Sequence, residues 1–310
     1  MKFNSMTSLL VKSVAALAVS ASMSFAGVSG KAPIAPPPPV EEPAALFDTI
    51  GATLSTGYTT RNYFRGLWIS DNTVSAALDL AVPLTEQVTW NLGALWMTNL
   101  DNDGNHFNFA RVAPPGVTSF DYTRYDLYTS LDYDLGFGTL SAGYRHYFYP
   151  NSFSGTMNGA AAVIGAGGYP DFGVKDAGEL SVVFGTSFVG FDWNIGYYYD
   201  FRVGGSYYET NLSYEIPVTP WMSLVPAFQL GYGNDYYSGG GNQNNATING
   251  NGVSSGFTHM MFSLSAPIAL TPTAALTPYI SWISSDRTRN YLNNSSNNEI
   301  FGGVSLSVSF

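Results

Sequence analysis

The sequence predicts an all-β fold: a transmembrane, antiparallel up-and-down β-barrel of about 12 strands. Three observations predict it. First, the last residues alternate strictly, with Val304, Leu306, Val308 and Phe310 on one face and Ser305, Ser307 and Ser309 on the other. A period of two marks a strand between two unlike environments. An apolar strand finishing on an aromatic ring suits the seam of a membrane barrel, with the ring at the interface. Second, the connections between strand-like segments sort by parity: one set is uniformly short, and the other holds every long loop. Third, charged residues make up only 11% of the chain, while it holds 21 Tyr, 20 Phe and 33 Gly. An ordinary soluble chain carries about 25% charged residues. Strands with one lipid face and one wet face give this mixture without long apolar runs.

In chain order, Met1 to Ala26 reads as a secretory signal. Lys2 and Lys12 precede or flank an apolar run at Val14–Val19, and Ser24-Phe-Ala26 before Gly27 fits a small-x-small cleavage pattern. Residues 27–48 read as a Pro-rich periplasmic tether, because Pro33, Pro36 to Pro39 and Pro43 favour extended polyproline II. Residues 49–310 form the barrel. The strands leading outward are expected near Thr49–Ile69, Val88–Thr98, Thr139–Tyr149, Phe191–Arg202, Ser223–Gly233 and Ala275–Ser285. The returning strands are expected near Val74–Leu84, Arg124–Leu135, Glu179–Phe188, Ser206–Ile216, Thr258–Ile268 and Glu299–Phe310. Most approach the 9–11 residues, roughly, of a tilted spanning strand. The short turns are Thr85–Gln87, Gly136–Gly138, Val189–Gly190, Pro217–Met222 and Ala269–Ala274; the long loops are Asn99–Thr123, Pro150–Gly178, Asn234–Phe257 and Asp286–Asn298. Two outer connections are also short, Asp71–Thr73 and Val203–Gly205. They lie opposite each other in a twelve-stranded ring, so the outer rim is expected to carry two low saddles.

Alternation assigns the faces. In Phe191–Arg202, Phe191, Trp193, Ile195, Tyr197, Tyr199 and Phe201 face one way; Asp192, Asn194, Asp200 and Arg202 face the other. A buried Arg or Lys at lipid mid-depth costs about 2–4 kcal/mol, so the charged face belongs inside. All six tryptophans fall near strand ends: Trp90, Trp193 and Trp221 at one level, Trp68, Trp96 and Trp282 at the other. That is the double aromatic girdle of a membrane barrel.

The charge and cysteine counts exclude whole classes. Without the signal's lysines, ten basic residues face 22 acidic ones, a formal charge near −12. Nucleic acid is therefore not an expected partner, since phosphate contacts need clustered Lys and Arg. There is no cysteine, which excludes disulfides and thiol chemistry and suits an oxidising periplasm.

Tyr63-Phe-Arg-Gly-Leu-Trp-Ile-Ser70, followed by Val74–Leu80, is similar to the opening strand, tight turn and second strand of the TorF-type porins of Gram-negative bacteria. Tyr125–Tyr128, Tyr207–Glu209, Tyr214–Pro217 and the Phe-terminated last strand resemble that family in kind and order. The chain departs from it in Trp68 and in the long Gly- and Asn-rich loops at 150–178 and 234–257. The resemblance implies a passive porin of the bacterial outer membrane.

The expected function is a porin-like channel for passive diffusion of small hydrophilic solutes. Its expected partners are the lipid bilayer, the barrel-assembly machinery (with Phe310 as the assembly signal) and small polar solutes. No cofactor, metal or catalytic residue is expected. The pore-lining candidates are Arg61, Arg65, Arg124, Asp126, Arg145, Asp200, Arg202 and Glu209. Opposed charges at one height either orient solutes in a constriction or brace a narrow barrel as ion pairs. Asp132, Asp134, Asp192 and Glu215 form an acidic belt nearer the periplasm. Inward Tyr63, Tyr128, Tyr147, Tyr149, Tyr198 and Tyr207 either stack on sugar faces or fill space between glycines. Asp101-Asn-Asp-Gly-Asn105 resembles the start of a calcium loop, but Val112 stands where the closing Glu would be. Two rivals remain. A structural or adhesive barrel would have a plugged interior, with loop 150–178 as a constriction or plug. An outer-membrane phospholipase would need an outward Ser–His pair, and of His106, His146 and His259 only His146 suits an outward face, with no serine at its level.

Overall fold

The computed structural model describes residues 51–100, 122–150, 176–201, 204–236, 255–285 and 298–310. The signal and tether, Arg202, the Asp101–Asn105 turn, His106 and the long outer loops, with the rim they shape, lie outside these residues.

The strands are β1 (Gly51–Phe64), β2 (Leu67–Pro83), β3 (Val88–Asn99), β4 (Thr123–Asp134), β5 (Thr139–Phe148), β6 (Ala177–Phe188) and β7 (Phe191–Asp200). They continue as β8 (Gly205–Tyr214), β9 (Ile216–Thr219), β10 (Met222–Asn234), β11 (Ser255–Ser265), β12 (Ile268–Thr271), β13 (Ala274–Ser284) and β14 (Asn298–Ser309). Ring neighbours pair antiparallel: β1 to β8 in chain order, β8 and β9 with β10, β10 with β11, β11 and β12 with β13, β13 with β14, and β14 with β1 through Thr53↔Ser309 to Thr59↔Gly303. The sheet is therefore a closed barrel. The four-residue β9 and β12 continue β8 and β11 past a break, so the ring has 12 members. Closure removes both sheet edges, leaving no open template for pairing along the seam.

Most expected strands are present with shifted ends. The expected turns Pro217–Met222 and Ala269–Ala274 are tighter than anticipated: β9 and β12 extend the sheet into them. Pro217 pairs with Ser223 beside a register shift between Met222 and Ser223, an irregular place in the ladder of the kind that tolerates proline.

Alternation holds around the ring. Leu54, Leu127, Leu131, Leu180, Phe262 and Ile280 are exposed on the outer wall. Their neighbours Asp126, Asp132, Glu179, Ser263 and Ser281 are buried within. Trp90 and Trp193 sit outside near the short turns, each donating its indole N–H at 2.8 Å, to Thr129 and Thr210 respectively. At the end bearing the chain's seam, Thr53, Ser55, Ser305, Ser307 and Ser309 face inward and stay half-exposed, with Thr53 and Ser309 hydroxyls 3.2 Å apart across the seam. Phe310 lies exposed, its backbone N–H donating to the Ala52 carbonyl at 2.8 Å.

The first hairpin departs from the sequence reading. The strand expected over Thr49–Ile69 is two strands, and their turn is Arg65–Gly66, not Asp71–Thr73. Arg65 has φ 53° and Gly66 φ 86°, the two left-handed residues of a type I′ turn. β1 stops pairing with β14 at Thr59, although β14 itself runs on to Asn298 against β13. β2 begins pairing with β3 only at Thr73. Between those points the hairpin pairs only with itself. The departure points are tied off by Gly302 N–H donating to Thr60 Oγ1 at 3.1 Å and Leu100 N–H donating to the Asn72 carbonyl at 2.9 Å. Asn72 itself is left-handed, with φ 43°. The ladder also slips between Asn62 and Tyr63, and such bulges bend a strand. The hairpin has left the wall and folded into the barrel.

Candidate functional site

Inside the barrel both faces of this hairpin are covered. Phe64 and Ile69 join one buried cluster with Leu95, Met97, Tyr147 and Tyr198. Tyr63 joins another with Met261, Ile283 and Phe301, against which Trp68 packs. Trp68 is thus an interior residue, correcting its assignment to the outer girdle: the hairpin carries it away from the wall before it could face outward. Asn62 donates to Ser70 Oγ at 3.5 Å, and the Ser70 and Thr73 hydroxyls lie 2.7 Å apart, so the hairpin's polar groups are satisfied largely near its own base.

Arg65, at the tip, reaches the far side. Its guanidinium lies 2.6 Å from Glu179 on β6 and donates to the Tyr236 hydroxyl, just past β10, at 2.5 Å. It also stands over the rings of Phe64, Tyr198, Tyr207 and Tyr236, at 5.0, 5.0, 4.4 and 4.8 Å from their centroids. Tyr198 is on β7, six places round the 12-membered ring from β1. The tip therefore crosses the whole interior. A desolvated cation–π contact is worth up to about 2 kcal/mol, and a buried carboxylate left without its cation costs more than that.

A second arginine group lies beside the first. Arg124 on β4 contacts both oxygens of Asp126, at 2.9 Å from Nε and 3.1 Å from a terminal nitrogen, and donates to the Tyr122 hydroxyl at 3.1 Å. Its guanidinium lies 5.2 Å from the rings of Phe64 and Tyr147. Arg145 on β5 approaches Asp126 at 3.5 Å and covers the Tyr128 ring at 4.5 Å. The Tyr128 hydroxyl donates to Asp79, and the Tyr147 hydroxyl donates to Glu179 at 3.1 Å, linking the two groups. Glu209 accepts from Tyr207 at 3.2 Å and from Asn211 at 2.9 Å. Asp200 is buried at the end of β7. Arg61 sits apart at the hairpin's base, paired with Glu299 on β14 and 3.7 Å from Asp71, its guanidinium 4.7 Å from the Trp68 ring.

Of the eight charged candidates, the structure brings Arg65, Arg124, Asp126 and Arg145 into one contact network with Glu179; Asp200 and Glu209 lie on the neighbouring strands, Arg61 at the hairpin's base. The inward tyrosines Tyr63, Tyr128, Tyr147, Tyr149, Tyr198 and Tyr207 are all packed into the two clusters. The residues that sequence reasoning missed are Glu179 as the partner of Arg65, and Tyr236, whose strand had been expected to end at Gly233. Asp132 faces inward with Ser130 Oγ at 3.3 Å, Glu215 accepts from Ser223 at 2.8 Å, and Asp192 accepts from Ser187 at 2.5 Å. Asp134 lies exposed at the strand end, accepting from the Gly136 N–H at 2.7 Å.

The two described histidines, His146 and His259, face as expected. His259 is buried, its Nε2 3.2 Å from Gln229 Oε1 and its Nδ1 3.0 Å from Thr258 Oγ1. His146 faces outward, with the Tyr144 hydroxyl at 3.0 Å and Asp176 at 4.0 Å. The cross-strand partners of His146 are Leu127 and Gly178, neither of them a nucleophile. Among the described residues, no cluster of three or more His, Cys, Asp or Glu could hold a metal.

No protein-family model and no curated protein matches the chain. Among solved structures, the chain is similar to the COG4313 outer membrane channel from Pseudomonas putida F1, with TM-score 0.47 and 13% identity over 84% of this chain and 94% of that one. It is also similar to the translocator domain of autotransporter NalP from Neisseria meningitidis, with TM-score 0.45 and 12% identity over 86% and 91%. The KdgM porin gives TM-score 0.42 and 9% identity over 83% and 99%. At these values the likeness assigns nothing to this chain, whose function rests on its own geometry.

Proposed function

We propose that this chain is an outer-membrane channel for small hydrophilic solutes whose conducting form requires the first hairpin to be withdrawn. The observation that supports it most is the opposition of the barrel's two faces: an apolar outer wall with aromatic ends, and an interior lined by charged and hydroxyl side chains. A closed barrel satisfies every backbone group without water, and lipid against the outer wall accounts for Leu127, Leu131, Leu180 and Ile280 standing exposed. The half-exposed serines and Thr53 at the seam end make a wet cup reaching in from that side. Above it, the Arg65 hairpin closes the path.

The interior also supports a charge preference. Against Arg61, Arg65, Arg124 and Arg145 stand Asp79, Asp126, Asp132, Glu179, Asp200, Glu209 and Glu299. Carboxylates in excess favour cations in a conducting form. Planar-bilayer recording of the purified full chain under a salt gradient tests this. The expected result is discrete openings with a reversal potential on the cation side. Anion-side reversal would overturn the preference.

The second reading, a structural barrel with a plugged interior, is favoured by one observation: the hairpin's contact with β7 across the whole ring. A correctly folded barrel that stays silent even with Arg65→Ala would establish it.

A further inference from the structure

The surroundings of Arg65 have the composition of a ligand site. Three tyrosine rings from separate strand ends (Tyr198, Tyr207 and Tyr236) surround one guanidinium, a carboxylate lies at 2.6 Å, and a phenol hydroxyl accepts at 2.5 Å. The Tyr207 ring is held by its own bond to Glu209, and its centroid lies 6.1 Å from that of Tyr198 and 5.6 Å from that of Tyr236. Glu179, Tyr198 and Tyr207 stand on β6, β7 and β8, and Tyr236 lies just past β10, so these four groups come from outside the hairpin. The cage is therefore built on elements other than the hairpin that fills it.

The filling residue is held at a cost. Arg65 occupies the left-handed region, where a side chain bearing a Cβ crowds the following carbonyl. Gly66 lies so close to His259 that a Cβ there would stand 2.9 Å from the histidine's own. The hairpin has also given up its wall pairing from Thr60 to Asn72. Aromatic faces attract a planar delocalised cation, and a carboxylate matches its forked N–H donors.

We propose that this cage is a guanidinium-binding site that the chain fills with its own Arg65, and that a free guanidinium-bearing cation takes the site when the hairpin is withdrawn. The tethered arginine has a high effective concentration, so a free ligand must bind in company with the relief of the turn and the return of the hairpin to the wall. The binding claim does not depend on conduction. Only its consequence, a ligand that holds the barrel open or sits in its path, rests on the channel reading.

The test uses the purified full-length chain in detergent and in planar bilayers, with methylguanidinium as the probe and methylammonium at equal concentration as the control of like charge. With Arg65→Ala, methylguanidinium is expected to raise the thermal unfolding midpoint saturably, methylammonium much less. The double variant Arg65→Ala with Glu179→Gln is expected to need about tenfold more probe. If Arg65→Ala does not assemble, Arg65→Lys, which keeps charge but lacks the planar fork, carries the same measurement. Saturable stabilisation with concentration-dependent current block supports both the site and the channel. Stabilisation without any current supports the site and refutes the channel. Equal effects of the two probes, or an effect indifferent to Glu179→Gln, overturns the site.

Discussion

The chain makes the same two-residue turn twice and puts the two tips in opposite places. Arg65–Gly66 and Val189–Gly190 both pair a left-handed side chain with a left-handed glycine, at φ 53° and 86° in one and 50° and 82° in the other. Both are closed by facing aromatic or aliphatic residues, Phe64↔Leu67 and Phe188↔Phe191. Yet Val189 is 90% exposed and Arg65 3%. The backbone of a type I′ turn matches strand twist wherever it occurs, so the turn does not decide where its tip goes. What differs is the approach. β6 and β7 run in unbroken register to their turn. β1 and β2 slip at Asn62/Tyr63, carry the left-handed Asn72, and present a cation that finds a carboxylate and rings across the barrel. Local geometry makes a hairpin; a bulge and a long-range charge decide whether it stays in the wall.

The largest expected break in that comparison is removal of the charge. Arg65→Ala leaves Glu179 buried without its cation, which costs about 3–5 kcal/mol. Val189→Ala, at the exposed tip, is expected to change stability by less than about 0.5 kcal/mol. Thermal unfolding of both variants in the same detergent checks the contrast, and comparable midpoints would refute the long-range anchor.

A smaller effect separates the two glycines. Any side chain at these φ values is strained by roughly 1–2 kcal/mol. At Gly66 a Cβ would also meet the His259 Cβ and ring at 2.9–3.1 Å, whereas at Gly190 its nearest contact is the edge of the Tyr214 ring at 2.9 Å, which can swing aside. Gly66→Ala is therefore expected to lower the unfolding midpoint more than Gly190→Ala. The reverse order would place the first tip at the rim like the second.

Period-two alternation made the wall legible. It placed Arg124, Asp126, Arg145, Asp200 and Glu209 inside, and the loop parity placed the seam and the short turns at one end. It failed at residues 60–72 because alternation continues unbroken through a two-residue turn whose flanking strands pair with each other. Arg is a poor first residue for that turn, so Asp71-Asn-Thr73 looked the better one. That signal was real in a different way: Asn72 is left-handed, and it marks where β2 rejoins the wall. Trp68 went wrong for the same reason, since its level was taken from a strand that had already turned. The partnership of Arg65 with Glu179 spans the ring, and no local pattern carries it.

The position of the hairpin is the central claim, and a cysteine-free chain allows it to be tested cleanly. Gly66→Cys with His259→Cys places the two Cβ atoms 2.9 Å apart, closer than the roughly 3.5–4.5 Å of a disulfide, so a small outward yield of the turn tip brings the pair to bonding distance. Mild oxidation of the folded double variant is expected to form an internal disulfide, with both thiols lost to maleimide and regained on reduction. Two free thiols after oxidation, both labelled from the outer side, would contradict a hairpin folded into the barrel.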